Sequence, residues 1–194
     1  MKTIFSQTSH ALPDYLTNFS DSIWVGRGKR TDYSIGSPRI VPYTMTMTMG
    51  PVFETFVGNR VAGGGKWCAH YYTQWLDALT EAALHQETGY LLFDLASSEF
   101  CKAAAMPQGL AMLAGGAFNL SLKQGLVMVA TANVSDHEYG ICIDPTTSRD
   151  VRVRTITTNI TQTESEFSFI ETWVRISDGK ESLCRDEATL HLQQ

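Results

Sequence analysis

Polar and hydrophobic residues alternate with a period of two along most of the chain. In the clearest run, Tyr43-Thr44-Met45-Thr46-Met47-Thr48-Met49, the alternation places the methionines on one face of a strand and the threonines on the other. We expect Gly50-Pro51 to end this run and Gly115-Gly116 to end a shorter one. Further strand-like runs lie at residues 66–75, 84–94, 100–106, 110–113, 122–132, 151–163, 166–176 and 182–192. The pattern predicts about ten strands.

A single helix is predicted around Leu12 to Phe19, with Pro13 in its first turn. Because strands do not alternate with helices, the sequence argues against a parallel sheet. Short antiparallel strands hide their edges most completely by closing into a barrel, and a sandwich is the alternative. The predicted fold class is all-β, an antiparallel closed barrel of about ten strands with a short N-terminal helix. We expect residues 1–20 to form an N-terminal extension and residues 21–194 a single barrel domain.

Composition and charge narrow the range of partners. The 194 residues are 43% hydrophobic and 18% charged, which is typical of a globular protein with a substantial core. A net charge of −5 favours neither nucleic acid nor an anionic membrane surface as a partner. The N-terminal residues turn polar too early for a signal peptide, so we expect a cytoplasmic location. The four cysteines lack the spacing of a zinc site and are expected to be buried thiols. The sequence leaves the oligomeric state open, a homodimer included.

Methionines are concentrated in and beside the predicted strands. A barrel of about ten strands is wide enough for its interior to hold a ligand, and methionine adapts to an irregular apolar guest. The sequence therefore predicts a small hydrophobic ligand, in contact with Met45, Met47, Met106 and Met112. Ordinary core filling by the same side chains is the alternative.

Two pairs of polar residues are candidates for chemistry. His85 and Glu87 are two residues apart on one strand, so their side chains share a face. A carboxylate beside an imidazole raises the pKa of the histidine and fixes its tautomer, which suits acid–base catalysis, whereas a pair that only orders the barrel wall is the alternative. Arg152 and Arg154 also share a face, which is either a solvated outer face or a carboxylate-binding site inside the barrel.

Five stretches of the chain are informative through their order and spacing. They are Trp24-Val25-Gly26-Arg27-Gly28, Tyr72-Thr73-Gln74-Trp75, Leu84-His85-Gln86-Glu87-Thr88-Gly89-Tyr90, Met106-Pro107-Gln108-Gly109-Leu110-Ala111-Met112-Leu113-Ala114-Gly115-Gly116 and Tyr139-Gly140-Ile141-Cys142. Together they resemble a bacterial branch of the nitrobindin-like, haem-binding β-barrel family. That resemblance implies a calycin fold of the fatty-acid-binding-protein type, and it covers the chain from about residue 20 to the end.

The resemblance also implies where a ligand sits. It places His85 inside the cavity and adds Trp24 and Tyr72 to the expected ligand-binding residues. In that family a histidine on the last strand holds ferric haem, and members with haem bind nitric oxide and isomerise peroxynitrite to nitrate. The matching position falls on Cys184 or Arg185, and an arginine cannot bind iron because it stays protonated. If haem binds, the candidate axial ligands are Cys184 and the downstream His191. Because no histidine occupies the expected position, we predict weak haem binding.

Two hypotheses of function follow. In the first, the protein binds a small, largely apolar molecule inside the barrel, with haem or another porphyrin as the first ligand considered and a fatty-acid-like molecule as the second. In the alternative, the protein is an enzyme that uses the barrel cavity as its active site, with His85 as acid or base and Glu87 orienting it. Its reaction would be of the isomerase or cyclase type, or peroxynitrite isomerisation if haem is bound.

Overall fold

The computed structural model describes residues 12–33, 37–55, 66–121, 123–134, 136–143, 152–177 and 179–193. These residues form one short helix and eleven strands. In chain order they are α1 Asp14–Thr17, β1 Ile23–Asp32, β2 Arg39–Thr55, β3 Lys66–Asp77, β4 Ala83–Asp94, β5 Glu99–Met106, β6 Leu110–Ser121, β7 Gly125–Asn133, β8 Ile141–Ile143, β9 Arg152–Gln162, β10 Glu166–Ser177 and β11 Lys180–Leu192.

Ten of the strands close into an antiparallel barrel. Neighbours pair in the order β5-β4-β3-β2-β1-β11-β10-β9-β7-β6, and β5 pairs with β6 to complete the circle. The short β8 pairs with β6 from outside the barrel. Closure leaves none of the ten strands with an unpaired edge, which is the physical advantage of a barrel over a sandwich. The predicted fold class is confirmed, and the sandwich alternative is wrong.

Two predicted strand ends are wrong. β2 runs through Gly50-Pro51 to Thr55, and a register shift between Met49 and Val52 takes up the irregularity. β6 runs through Gly115-Gly116 to Ser121 because β5 and β7 both pair with this stretch. Glycine and proline therefore mark bulges and close contacts in these strands, not their ends.

The helix and a cluster of aromatic rings fill one end of the barrel, which we call the helix end. Leu16 of α1 and Phe19 just after it are fully buried. The Phe19 ring lies 5.8 Å from Phe93 and 6.2 Å from Phe167, measured between ring centroids. The helix is shorter than predicted and follows Pro13 directly. In the part of the chain that the structure describes, no helix is both long and apolar enough to cross a membrane.

The alternation along β2 determines which side chains form the inner face. Met45, Met47 and Met49 are buried, whereas the threonines between them are exposed. On the neighbouring β1, Gly28 faces the ring of Tyr43, and a Cβ atom at this glycine would lie 2.6 Å from the ring. Glycine is therefore needed here so that the Tyr43 ring can pack against the backbone of β1.

The cysteines are all free thiols, as expected from the sequence. Cys68 and Cys184 are buried and Cys101 is partly buried, but Cys142 is exposed on β8. The expectation of buried thiols is therefore wrong for Cys142, because β8 lies outside the barrel.

Candidate functional site

A buried lysine between two buried carboxylates lies at the centre of the barrel interior. The Nζ atom of Lys102 on β5 is 2.6 Å from Oε2 of Glu171 on β10 and 2.9 Å from Oε1 of Glu87 on β4. All three side chains are less than a tenth exposed. Since a buried charge is costly without a partner, the three groups stabilise one another across the barrel.

Hydroxyl groups complete this central network. Tyr71 donates a hydrogen bond to Oε1 of Glu87 at 2.5 Å, and Thr158 donates one to Oε2 of Glu171 at 2.9 Å. Burial by itself raises the pKa of Glu87, but the charge of Lys102 and nearby donors outweigh it and lower the pKa to about 2. Burial lowers the pKa of Lys102, but the two carboxylates more than compensate and raise it above its ordinary value. Lys102 is thus held as a cation and cannot act as an amine nucleophile.

His85 lies beside this network, towards the end of the barrel opposite the helix, which we call the far end. Its Nε2 atom is 3.6 Å from Oε2 of Glu87, and its side chain is 5% exposed. Its ring is 4.3 Å from the Trp75 ring and 6.3 Å from the Trp173 ring, measured between centroids. Trp75 in turn stacks on Tyr43, with centroids 4.9 Å apart and planes 8° apart. The imidazole is therefore held between aromatic rings and a carboxylate.

A second ion pair lies near these rings, on the adjacent strands β1 and β11. Nε and Nη2 of Arg30 donate hydrogen bonds to the two carboxylate oxygens of Asp186, at 2.8 Å and 3.0 Å. Asp186 is fully buried, and the guanidinium of Arg30 also lies 5.6 Å from the centroid of Trp75. Burial raises the pKa of Asp186, although the hydrogen bonds and charge of Arg30 act in the opposite direction. The bidentate contact occupies both carboxylate oxygens of Asp186.

A small cavity lies between the central network and the apolar side chains around it. Its volume is about 30 Å³, which is room for about one water molecule. Apolar side chains make up much of its wall, and polar groups from the central network make up the rest. The residues that line it include Met45, Met47, Thr73, Trp75, Lys102 and Glu171.

Several buried polar atoms around this interior lack a hydrogen-bond partner among the described residues. Those in the cavity wall or beside His85 are Oγ1 of Thr73, Oε1 of Glu171, Nε2 of His85, Nε1 of Trp75 and Nε1 of Trp173. Buried polar atoms are nearly always satisfied, because each unsatisfied one costs about 1–3 kcal/mol. A set of them in one place therefore indicates a guest, either water or a ligand with polar atoms.

The structure places part of the predicted site inside the barrel. His85 and Glu87 face inward together, and Met45 and Met47 line the cavity. Trp24 is buried against Phe167 at the helix end, where it closes the barrel and does not reach the cavity. The other two predicted methionines, Met106 and Met112, are buried core residues outside the cavity lining. Trp24, Met106 and Met112 therefore do not line this cavity, and their predicted contribution to a ligand site stays a prediction.

Of three other predicted ligand contacts, two face away from the barrel interior and the third has no described side chain. Tyr72 is 40% exposed because its neighbour Tyr71 takes the inward position on β3. Arg154 lies on the outer face in an ion pair with Glu181, 60% of its side chain being exposed. The cause is a register shift between β9 and β10. Val174 pairs with Thr155 and the next residue, Arg175, pairs with Val153, so the pairing passes over Arg154. The side chain of Arg152 lies outside the described part of the structure.

The residues at the predicted axial positions do not fit haem. His191 is exposed on the outer face of β11, opposite in direction to the fully buried Leu190. Cys184 faces inward, but burial raises the pKa of its thiol, so the thiolate that would bind iron is disfavoured. The described residues contain no group of three or more His, Cys, Asp or Glu side chains placed to hold a metal ion.

Sequence reasoning missed most of the charged interior. It named neither Lys102 nor Glu171, nor the pair of Arg30 with Asp186. The alternation along β5 could have revealed it. Lys102 lies on the same face of this strand as Phe100 and Ala104, and a charged residue on an otherwise apolar face indicates a buried charge. The same holds for the other three residues. Glu171 alternates in step with Phe169 and Trp173 on β10, Arg30 with Trp24 on β1, and Asp186 with Ala188 and Leu190 on β11.

Comparisons with known proteins agree with the fold and go no further. No protein-family model matches the chain, and no curated protein matches its sequence. The structure is similar to the crystal structure of Rv2717c from M. tuberculosis, with a TM-score of 0.65 and 20% sequence identity over 94% of this chain and 99% of that one. At this level of identity the similarity concerns the fold alone, and the resemblance to nitrobindin-like proteins stays a prediction. The chain forms a closed antiparallel barrel of ten strands, consistent with a calycin-like fold.

Proposed function

We propose that this protein binds a small, largely apolar molecule inside the barrel, with the polar part of the ligand beside His85. The observation that carries the proposal is the group of unpartnered, buried polar atoms on Thr73, Trp75, His85, Glu171 and Trp173. A barrel that served only as a scaffold would gain stability from apolar residues at these positions, because unsatisfied polar atoms and buried charges are costly.

The cavity must enlarge to accept such a ligand. A drug-sized molecule needs about 300 Å³ or more, whereas the cavity measures about 30 Å³. Met45 and Met47 line the cavity, and their unbranched side chains can repack at low cost. The proposed ligand therefore takes volume that these two side chains occupy in the free protein. Haem is not included in this proposal, because the predicted axial positions do not fit it.

Binding of Nile red, a neutral dye whose emission shifts to the blue in apolar surroundings, tests the proposal. We expect saturable binding of one dye per chain to the wild-type protein. Met45→Trp, which fills the interior, should weaken binding at least about tenfold, whereas Thr46→Trp on the exposed face of the same strand should not change it. If Met45→Trp does not fold, Met47→Phe and its outward-facing match Thr48→Phe replace the pair. Equal binding by both members of a pair would place the dye on the outer surface and overturn the proposal.

One observation favours a second candidate, an enzyme that moves a proton on its bound ligand. The Nε2 atom of His85 is buried, lacks a hydrogen-bond partner and lies 3.6 Å from Glu87. Because the pKa of Glu87 is lowered to about 2, this carboxylate stays ionised and would orient the imidazole through the N–H at Nε2, while the other ring nitrogen, Nδ1, would take the proton. In such an isomerisation His85 removes a proton from a carbon beside a carbonyl group and returns a proton at another atom, so no co-reactant is consumed.

Hydrogen exchange distinguishes this enzyme from a binding protein. With octan-2-one in D₂O, an enzyme of this kind should speed the exchange of the hydrogens beside the carbonyl group, as measured by proton NMR. His85→Gln should remove that acceleration, and His70→Gln, at an exposed histidine on the outer face, should leave it unchanged. Exchange no faster than in buffer, or equally fast in both variants, would exclude His85 as an acid–base group for such a carbonyl compound.

A further inference from the structure

We infer that the polar group of the ligand is an uncharged hydrogen-bond acceptor, such as an alcohol or carbonyl oxygen, and not a carboxylate. This inference rests on the proposed function, since it concerns the chemistry of a ligand bound inside the barrel. It separates the protein from barrels that hold a fatty acid by its carboxylate.

The buried cations are already occupied. Two of the three guanidinium nitrogens of Arg30, Nε and Nη2, donate to the carboxylate of Asp186, at 2.8 Å and 3.0 Å. The ammonium of Lys102 lies within 2.9 Å of both Glu87 and Glu171. A ligand carboxylate at either cation would share the positive charge with a protein carboxylate that is already bound to it, so the added negative charge would be only partly compensated.

The inward-facing donors that stay without partners are uncharged, whereas Arg185, whose Nε atom also lacks a partner, lies on the outer face of β11 in an ion pair with Glu187. Nε1 of Trp75 and Nε1 of Trp173 are buried and have no hydrogen-bond partner in the described ranges. These indoles are 3% and 5% exposed, and both rings lie next to His85. An indole N–H donates and never accepts, so the matching ligand atom is an acceptor. His85 can bond to a donor as well as to an acceptor of the ligand, since its Nε2 atom accepts or donates according to the tautomer.

The charges near these donors disfavour an anion. Three carboxylates, on Glu87, Glu171 and Asp186, face two cations, on Lys102 and Arg30. Carboxyl groups therefore outnumber cations in this part of the interior. A ligand carboxylate would add a further negative charge in a low-dielectric interior, where charges repel strongly, whereas a neutral oxygen adds none.

One further cation must be considered at the far end. The guanidinium of Arg175 lies 5.7 Å from the centroid of the Trp173 ring and is partly exposed. A ligand that entered with its apolar end first would leave its head group near Arg175, where a carboxylate would be favoured. The unpartnered indole donors lie deeper than Arg175, so we place the polar group of the ligand beside them.

The experiment compares two ligands of equal length, octan-1-ol and octanoate. Isothermal titration calorimetry at pH 8, where octanoate is ionised, should show octan-1-ol binding at least about tenfold more tightly. Trp173→Phe keeps the aromatic ring but removes the donor, and it should weaken octan-1-ol binding about fivefold. Trp67→Phe is the matched control, because Trp67 also has a buried, unpartnered Nε1 but pairs with Phe93 at the helix end. It should leave the affinity unchanged.

The outcomes separate this inference from the proposed function. If Nile red binds in the interior but octanoate binds as tightly as octan-1-ol, the inference is wrong and the proposed function stands. Loss of octanoate binding in Arg175→Met would then show that the head group lies at the far end. An equal effect of Trp173→Phe and Trp67→Phe would also overturn the inference. If neither Nile red nor octan-1-ol binds, the proposed function fails, and the inference fails with it.

Discussion

Replacement of Lys102 by methionine would remove the cation that two buried carboxylates share. Methionine has nearly the same length and volume, so the substitution changes charge far more than packing. The ammonium of Lys102 lies 2.6 Å from Glu171 and 2.9 Å from Glu87, and at an effective dielectric constant of about 20 each contact corresponds to about 6 kcal/mol of Coulomb attraction. Most of this attraction offsets the cost of removing the ions from water.

The net effect should still be large. Removal of one partner from a buried ion pair generally costs about 3–5 kcal/mol, because an uncompensated charge stays behind. Lys102→Met leaves two such charges, on Glu87 and Glu171. We therefore expect the free energy of unfolding to fall by about 3–5 kcal/mol at pH 8. Lys29→Met should cost no more than about 1 kcal/mol, because the pair of Lys29 with Glu187 is exposed.

The pH dependence distinguishes lost charge from lost packing. In the unfolded chain the pKa of Glu87 is 4.5, and without Lys102 burial should raise its pKa in the folded variant above this value. A carboxyl group with a raised folded-state pKa becomes destabilising as the pH rises through that interval. Lys102→Met should therefore lose more stability at pH 8 than at pH 5, whereas a packing defect would cost the same at both.

Urea unfolding followed by tryptophan fluorescence at these two pH values provides the measurement. The triple variant Lys102→Met, Glu87→Gln, Glu171→Gln serves as a further control, because it removes the stranded charges and should regain part of the lost stability. A loss no larger than that of Lys29→Met, or a loss independent of pH, would refute the buried-network argument.

Three further predictions concern acid stability, close packing and haem. The pKa of Glu87 is about 2 in the folded state and 4.5 in the unfolded chain, so its ionisation contributes about 3 kcal/mol of stability that is present above pH 4.5 and lost as the pH falls towards 2. In Glu87→Gln, stability measured by urea unfolding should change less over this interval; an unchanged acid profile would contradict the assignment. Gly28→Ala should lower the free energy of unfolding by about 1–3 kcal/mol, because a Cβ atom there would press on the backbone oxygen of Glu187 and on the Tyr43 ring, and a variant as stable as the wild type would contradict this close packing. Ferric haem titrated into the protein should give no tight one-to-one complex in the Soret region, and a tight complex lost in Cys184→Ala or His191→Ala would show that the fit was misjudged.

Much of the fold could be predicted from alternation and turn residues. The Thr–Met run of β2 determined an inner and an outer face, and the structure confirms both. The ends of strands were less predictable at Gly50-Pro51 and Gly115-Gly116, because pairing with neighbouring strands continues through these residues. The glycine and proline residues of one strand cannot show whether neighbouring strands supply hydrogen bonds on each side of it.

The direction of individual side chains depended on register. Tyr71 and Tyr72 are adjacent aromatic residues, so hydrophobicity alone could not determine which of them faces the interior. The pairing of Met49 with Tyr71 places Tyr71 on the methionine face. Arg154 has the parity of the inward-facing Ile156 but lies outside, because a register shift skips it. A shift of one residue reverses the face of a side chain, and the sequence of one strand does not contain the register of its pair.

The sequence by itself determined that this chain alternates as strands and that His85 and Glu87 share a face, whereas it favoured a closed barrel but left a sandwich open. Period-two alternation is a local property, which any single strand displays. Only the tertiary structure decided that Glu87 meets Lys102, that Lys102 meets Glu171 from a strand 69 residues away, and that Arg30 is held by Asp186. The charges inside the barrel could be expected from their parity, but their partners depend on how strands distant in sequence are brought together when the barrel closes.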